Sequence, residues 1–338
     1  MKKLQNTLYI TRQKCYLHKE RETIVIKEGD NKLGQFPALT ISNILCFGNI
    51  SVSPFLMGYC GEQSIGLSFY TEHGRFLARV QGKQTGNVLL RRAQYRWADD
   101  LEKCVEIARL FIAAKISNSR SVLMRELRNH GENERLTKVT EKLVGSLRSV
   151  KNARSIEEIM GVEGDAAGAY FDVFNELIRN RDFTFNGRVR RPPTDPVNAL
   201  LSFAYTLVTH DCASALQGVG LDPYVGYLHK DRPGRVSLAL DLLEEFRAGW
   251  ADRFVLTLLN RQQIKASDFV TEGSGAVRLT DDARKKLLAM WQERKQSNAT
   301  HPYLEENIPI GLLPHCQAML FARHIRGDTE YYPPYVVK

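Results

Sequence analysis

Around residue 88 the apolar pattern of this 338-residue chain changes period, and that switch bounds what each part can become. Upstream, residues 8–11 and 23–27 are short runs rich in β-branched and aromatic side chains, which read as strands. Polar clusters at 19–21 and 29–31 look like turns. Residues 38–47 form another apolar run, and Ser53 ahead of Pro54 predicts a capped short helix over 54–60. Residues 66–70 and 76–80 flank Glu72, His73 and Gly74 in the manner of a hairpin. The stretch 81–87 carries two glycines and no apolar anchor, so the domain boundary is expected there.

Downstream the apolar residues recur at three- and four-residue steps: Leu101, Cys104, Val105, Ala108, Phe111 and Ile112. Helices are expected over 88–116, 122–129, 135–149, 156–180, 198–215, 237–264 and 280–296. The expected fold is α+β: a small β-rich N-terminal domain, 1–87, followed by a larger all-α domain, 88–338. With 43% hydrophobic and 25% charged residues, such a chain can bury an ordinary core. No stretch of about 18 apolar residues is present, so no membrane span is expected. Six scattered cysteines form no C-x-x-C pair, and no secretory leader is visible, which fits a reducing cytoplasm. A formal net charge of +9 suits a polyanionic partner such as DNA, although charge alone decides little.

Three segments carry candidate chemistry. In 161–171, Glu163 and Asp165 sit among small residues on an expected helix. Either Glu163 faces a ligand, or it is a solvated helix carboxylate. In 218–229 a glycine-rich loop delivers His229, with Lys230, Arg232 and Arg235 just beyond. Neutral imidazole is a common metal ligand, yet a lone histidine is also an ordinary surface residue. In 237–247, Asp241, Glu244 and Glu245 lie at i, i+3 and i+4, and one helix would place them on one face. Such a patch needs a cation. Arg247 is the plain candidate, and bound Mg²⁺ or Mn²⁺ the alternative. Two carboxylates with one imidazole suit Mg²⁺ or Mn²⁺ better than Zn²⁺.

Other patterns carry less. His210, Asp211 and Cys212 are consecutive on a helix and point to different sides, so they form no triad. Gly218 and Gly220 lack the preceding strand and third glycine of a dinucleotide site. Tyr170 and Tyr205 could orient DNA or fill the core, with core favoured for Tyr205.

The run Arg191-Pro-Pro-Thr-Asp-Pro-Val-Asn-Ala-Leu-Leu-Ser-Phe-Ala-Tyr205, the loop Gly220-Leu-Asp-Pro-Tyr-Val-Gly-Tyr-Leu-His229 and the helix Ser237-Leu-Ala-Leu-Asp-Leu-Leu-Glu-Glu-Phe-Arg247 together resemble the CRISPR-associated Cas-one endonuclease family. Asp252–Arg261 and Gly311–His315 resemble its type I-C branch. The resemblance implies a β-rich domain followed by a helical one. It implies Glu163, His229 and Glu244 as ligands of Mg²⁺ or Mn²⁺, with Asp241 as a second acid of the same pocket. Glu244 stands where relatives often carry Asp. The implied activity is a metal-dependent DNA endonuclease and integrase that inserts foreign fragments into a CRISPR array by transesterification. The implied partners are double-stranded and branched DNA, a second copy of the chain, a Cas-two dimer and, in type I-C systems, a Cas-four nuclease. Arg190, Arg191, Lys230, Arg232 and Arg235 are candidate phosphate contacts, each equally readable as a solvated cation. The alternatives are a non-catalytic DNA-binding scaffold whose acids only complete salt bridges, and a metal phosphohydrolase of small phosphate esters.

Overall fold

The N-terminal strands form because short β-branched runs alternate inward and outward over a shared core. In the computed structural model, which describes residues 6–63, 65–71, 76–80, 82 and 88–337, they make two four-stranded sheets. One sheet has the order β1-β5-β7-β8, with β1 (Asn6–Ile10), β5 (Ile41–Phe47) and β7 (Gly66–Tyr70) parallel and β8 (Phe76–Val80) antiparallel. The other has the order β4-β3-β2-β6, built from β2 (Cys15–Glu20), β3 (Thr23–Glu28), β4 (Asn31–Pro37) and β6 (Ser51–Val52). Leu17, Ile24, Ile44, Leu56 and Leu67 are among the residues of its core. The short helix α1 (Pro54–Glu62) begins where expected, with Ser53 Oγ accepting from Leu56 N at 3.2 Å. The β7–β8 pairing is antiparallel, whereas the expected turn at Glu72–Gly74 lies outside the described residues.

Two strands differ from the sequence reading. β2 covers Lys19 and Glu20, which look like turn residues, and the reversal comes one step later at Arg21, with φ 53°. β4 is exposed along almost its whole length, so neither of its faces carries an apolar period.

The chain divides into two compact units. The first comprises 1–85, 281–297 and 309–311; the second comprises 86–280, 298–308 and 312–338. Thus α9 (Asp281–Gln296) packs with the sheets, touching β1, although it lies in the helical stretch of the sequence.

In the second unit the expected helix over 88–116 is two helices. α2 (Val88–Asp99) stops and α3 (Leu101–His130) starts at Asp100, whose carboxylate accepts from Glu102 N and Lys103 N at 2.9 and 3.2 Å. α4 (Glu134–Asn152) and α5 (Ile156–Asp172) pack on α3, and α5 gives way to a tighter turn at Phe174–Leu177 instead of running to 180. α6 (Pro196–Gly218) is capped by Asp195. The expected helix over 237–264 is broken: α7 (Ser237–Leu243) ends before Glu244, a π-helical stretch covers Arg247–Asp252, and α8 (Arg253–Asn260) follows. Within that stretch Ala251 N reaches back five residues to Phe246 O at 3.1 Å. The unit is not all helix. It also holds the hairpin of β9 (Phe269–Thr271) and β10 (Val277–Leu279), turning over Gly273–Gly275, and the small pair β11 (Asn298–Thr300) and β12 (Asn307–Pro309). α10 (Leu313–Ile325) precedes the tail. Among the described residues, no helix is long and apolar enough to cross a membrane.

The tail is tied to the middle of the unit by a buried carboxylate. Glu245 accepts from Tyr332 OH at 2.5 Å, Gln317 Nε2 at 2.7 Å and Tyr335 N at 2.7 Å. Asn118 of α3 adds Nδ2 bonds to Glu245 O and Tyr335 O at 2.7 and 2.8 Å. Burial pushes the Glu245 carboxyl up to about 7, against the pull of its three donors. With the folded value above the unfolded one, the native state binds the extra proton, so this group's contribution falls as pH rises from about 4.5 through 7. Replacing Glu245 by Ala strands those donors and should cost about 3 kcal/mol in urea unfolding. Glu245→Gln, to which Tyr332 can donate or from which it can accept, should instead keep most of the stability and flatten that part of the pH profile of Tm.

Candidate metal centre

Each candidate ligand sits where a local rule puts it. Glu163 lies in the first half of α5, among Gly161, Gly164 and Ala166. His229 lies midway along the loop between α6 and α7. That loop is pinned from α2 by the buried Gln94, which donates to Asp222 O at 2.7 Å and accepts from Asp222 N at 2.9 Å. Glu244 is the first residue past α7.

Glu163 and Glu244 meet at one positive charge. The Lys115 ammonium, presented by α3, pairs with Glu163 Oε1 and lies 2.7 Å from Glu244 Oε2. Arg247 Nε stands 2.8 Å from the same Glu244 oxygen. Burial alone raises a carboxyl, but Arg247, Lys115 and His229 together outweigh it and bring Glu244 down to about 2. Glu244 is therefore an anion with 4% of its side chain exposed.

Asp241 has a different place from the one the sequence suggests. It is fully buried, and its two oxygens accept from the backbone N–H of Tyr227, Leu228 and His229 at 2.7, 3.0 and 3.0 Å. His229 Nδ1 lies 2.6 Å from Asp241 Oδ1. A carboxylate only accepts, so Nδ1 carries a proton, and in the neutral form of the ring the lone pair then lies on Nε2. Asp241 thus sets the ring's orientation and tautomer, as carboxylates behind ligating histidines do. Gly226 makes this wrap possible: a Cβ there would lie 2.9 Å from Asp241 Oδ2 and 2.9 Å from His229 O.

The expectation that Asp241, Glu244 and Glu245 share one helix face fails, because α7 ends at Leu243. The three acids serve three separate networks: the His229 loop, Lys115 with Arg247, and the tail. Asp165 is exposed and pairs with Lys142 at 2.9 Å.

Behind Arg247 lies a fourth buried acid. Asp252 accepts from Tyr205 OH at 2.6 Å and Tyr170 OH at 3.2 Å, and burial raises it to about 6. The Arg247 guanidinium stacks over Tyr205, 4.6 Å from its centroid. Both tyrosines are therefore buried props of Arg247. Lys115, Glu163, Tyr170, Arg188, Arg190 and Arg247 all line one cleft.

Arg190, Arg191, Lys230 and Arg232 are exposed and Arg235 half-buried; Lys230 lies 3.6 Å from Glu157. Sequence reasoning missed Lys115, Gln94, Arg188 and Asp252. For Lys115 a signal existed: a cation placed among Phe111, Ile112 and Ile116 on an apolar helix face requires a buried anion.

Among the described residues, no three His, Cys, Asp or Glu side chains lie close enough together to hold one ion. Two of the three candidate ligands nevertheless converge on a cation, and a positive charge on the third would help hold Glu244 ionised. Two carboxylates and an imidazole make a donor set that fits Mg²⁺ or Mn²⁺.

A CRISPR-associated endonuclease Cas1 of Chlorobaculum tepidum is 52% identical to this chain over 341 residues, covering 99% of each. One of Rhodospirillum rubrum is 48% identical over the full length of both. In fold, the chain is similar to a casposase bound to integration product, with a TM-score of 0.84 at 23% identity over 97% of this chain and 92% of that one. The family model described as CRISPR associated protein Cas1 matches residues 8–293, and the chain belongs to that family.

Proposed function

We propose that the chain is a metal-dependent DNA endonuclease and integrase of CRISPR adaptation, with Glu163, His229 and Glu244 as the ligands of one Mg²⁺ or Mn²⁺ ion. The observation that carries the reading is the meeting of Glu163 and Glu244, from segments 81 residues apart, at a single positive charge. Relatives named CRISPR-associated endonuclease Cas1 at 52% and 48% identity support the activity. Bound there, a dication would supply a Lewis acid for a phosphodiester and for the hydroxyl that attacks it.

The reaction proposed is transesterification. The 3′-hydroxyl oxygen of a fragment forms a new bond to a repeat phosphorus, the bond from that phosphorus to the repeat's own 3′ oxygen breaks, and the proton lost by the attacker ends on the leaving oxygen. Asp241 fixes Nδ1 as a protonated nitrogen of His229, which would leave Nε2 as the nitrogen to ligate the ion. Arg190 lines the cleft beside Glu163 and is placed to hold a DNA phosphate. Arg191, Lys230, Arg232 and Arg235 would extend that backbone track. The family resemblance supports a homodimer working with a Cas-two dimer, with a Cas-four nuclease preparing fragments, in the cytoplasm.

A second reading has an observation of its own. Lys115 already neutralises Glu163 and Glu244, as a non-catalytic DNA-binding scaffold would require. The two readings separate on branched DNA in a gel. The integrase gives joined or resolved strands with Mn²⁺ and none with EDTA, whereas a scaffold binds equally in both and yields no product. His229→Ala should abolish product while far-UV circular dichroism stays unchanged, and wild-type activity in that variant would exclude His229 from the centre. Asp241→Asn offers one acceptor oxygen where four donors now converge. It should lower the strand-joining rate roughly 10–100-fold through misorientation of His229. An unaffected rate would remove the positioning role.

A further inference from the structure

Two cations, Lys115 and Arg247, share the centre with Glu163 and Glu244, and they are not held equally. Arg247 pairs with Glu244 and stacks on Tyr205, whose hydroxyl is fixed by Asp252. Lys115 is a point charge on a flexible four-carbon stem. Its side chain is 11% exposed, and its ammonium reaches both Glu163 and Glu244. Two carboxylates facing one space, one half-buried and one buried, repel and need a cation between them. Resting on the metal reading above, we infer that the Lys115 ammonium is a tethered competitor for the ion's place, holding Glu163 and Glu244 together in the metal-free chain and surrendering that place when a dication binds.

Charge and geometry carry the argument. A divalent ion attracts each carboxylate about twice as strongly as an ammonium at the same distance. An ammonium offers three donors and no rigid fork, so it can leave without dragging its helix. The cleft lined by Arg188 and Arg190 opens beside Lys115, so the displaced ammonium turns toward the space where phosphates are proposed to lie. Arg247 stays, because its stacking and ion pair fix it from two sides. An ion that must first displace a bound group binds more weakly by the fraction of time the site is free.

The experiment is calorimetric titration of Mn²⁺ into the full chain, wild type against Lys115→Met, without DNA. If the ammonium holds the carboxylates about nine-tenths of the time, the variant binds about tenfold tighter. Equal or weaker binding in the variant overturns the competition while leaving the metal reading intact. An absence of Mn²⁺ binding in both proteins overturns the metal reading and the competition together. Should Lys115→Met fail to fold, the wild type answers by itself: acetylation of Lys115 by an amine-reactive ester, followed by mass spectrometry, should speed up at saturating Mg²⁺. A labelling rate unchanged by Mg²⁺ overturns the displacement.

Discussion

The ion pairs of Lys115 with Glu163 and Glu244 join three pieces of the helical unit: α3, α5 and the segment after α7. Removing charges from water costs several kcal/mol per ion, and only close pairing with well-placed partners returns it. The rest of the centre follows from that requirement. Glu244 needs a second cation because it is almost fully buried, and Arg247 supplies it three residues on. Arg247 in turn needs a buried support, which Tyr205 provides by stacking and Asp252 secures by accepting the tyrosine hydroxyl. The widened π-helical turn between Phe246 and Ala251 belongs to the same arrangement, since it starts at the residue whose guanidinium must reach back to Glu244.

Splitting Asp241, Glu244 and Glu245 among three networks solves an electrostatic problem that one continuous helix would have created. Three carboxylates on one buried face would repel. Here Asp241 is neutralised by three backbone N–H groups and an imidazole, Glu244 by two cations, and Glu245 by Tyr332, Gln317 and the Tyr335 amide. Their environments accordingly set different acidities. Salt contacts bring Glu244 to about 2, whereas burial with only neutral donors leaves Glu245 near about 7.

Much of this fold was legible in the sequence. The period switch near residue 88 marked strands before and helices after, and the Ser53 cap and the 66–80 pair emerged where patterning placed them. What failed did so for local reasons. β4 is an edge strand without a buried face. Asp100 ends one helix and caps the next without interrupting the apolar period. The break after Leu243 goes with tertiary partners of Glu244, Glu245 and Arg247 that lie far off in sequence, namely Lys115, Gln317 and Tyr205. At the centre, the acids and His229 were visible through the family resemblance, but their division of labour was not. Asp241 reads as one more acid until its four donors are counted. Gln94 and Asn118 look like ordinary helix amides, although each ties distant backbone together from a fully buried position.

A lysine inside the proposed metal centre also changes how folding and ion binding relate. In small structural metal sites the ion supplies the charge that lets its ligands be buried, so the metal-free chain unfolds. Here Glu163 and Glu244 are already paired with two cations of the chain itself, Lys115 and Arg247. On the proposal above, ion binding would be an exchange of one cation for another within a scaffold whose ligands are already paired. Such an exchange leaves the net charge between the carboxylates one unit more positive and frees an ammonium beside Arg188 and Arg190. Both changes favour an anion in the cleft. The physics of the pair therefore makes phosphate and dication mutual helpers, each easing the entry of the other, from side chains that in sequence look unrelated.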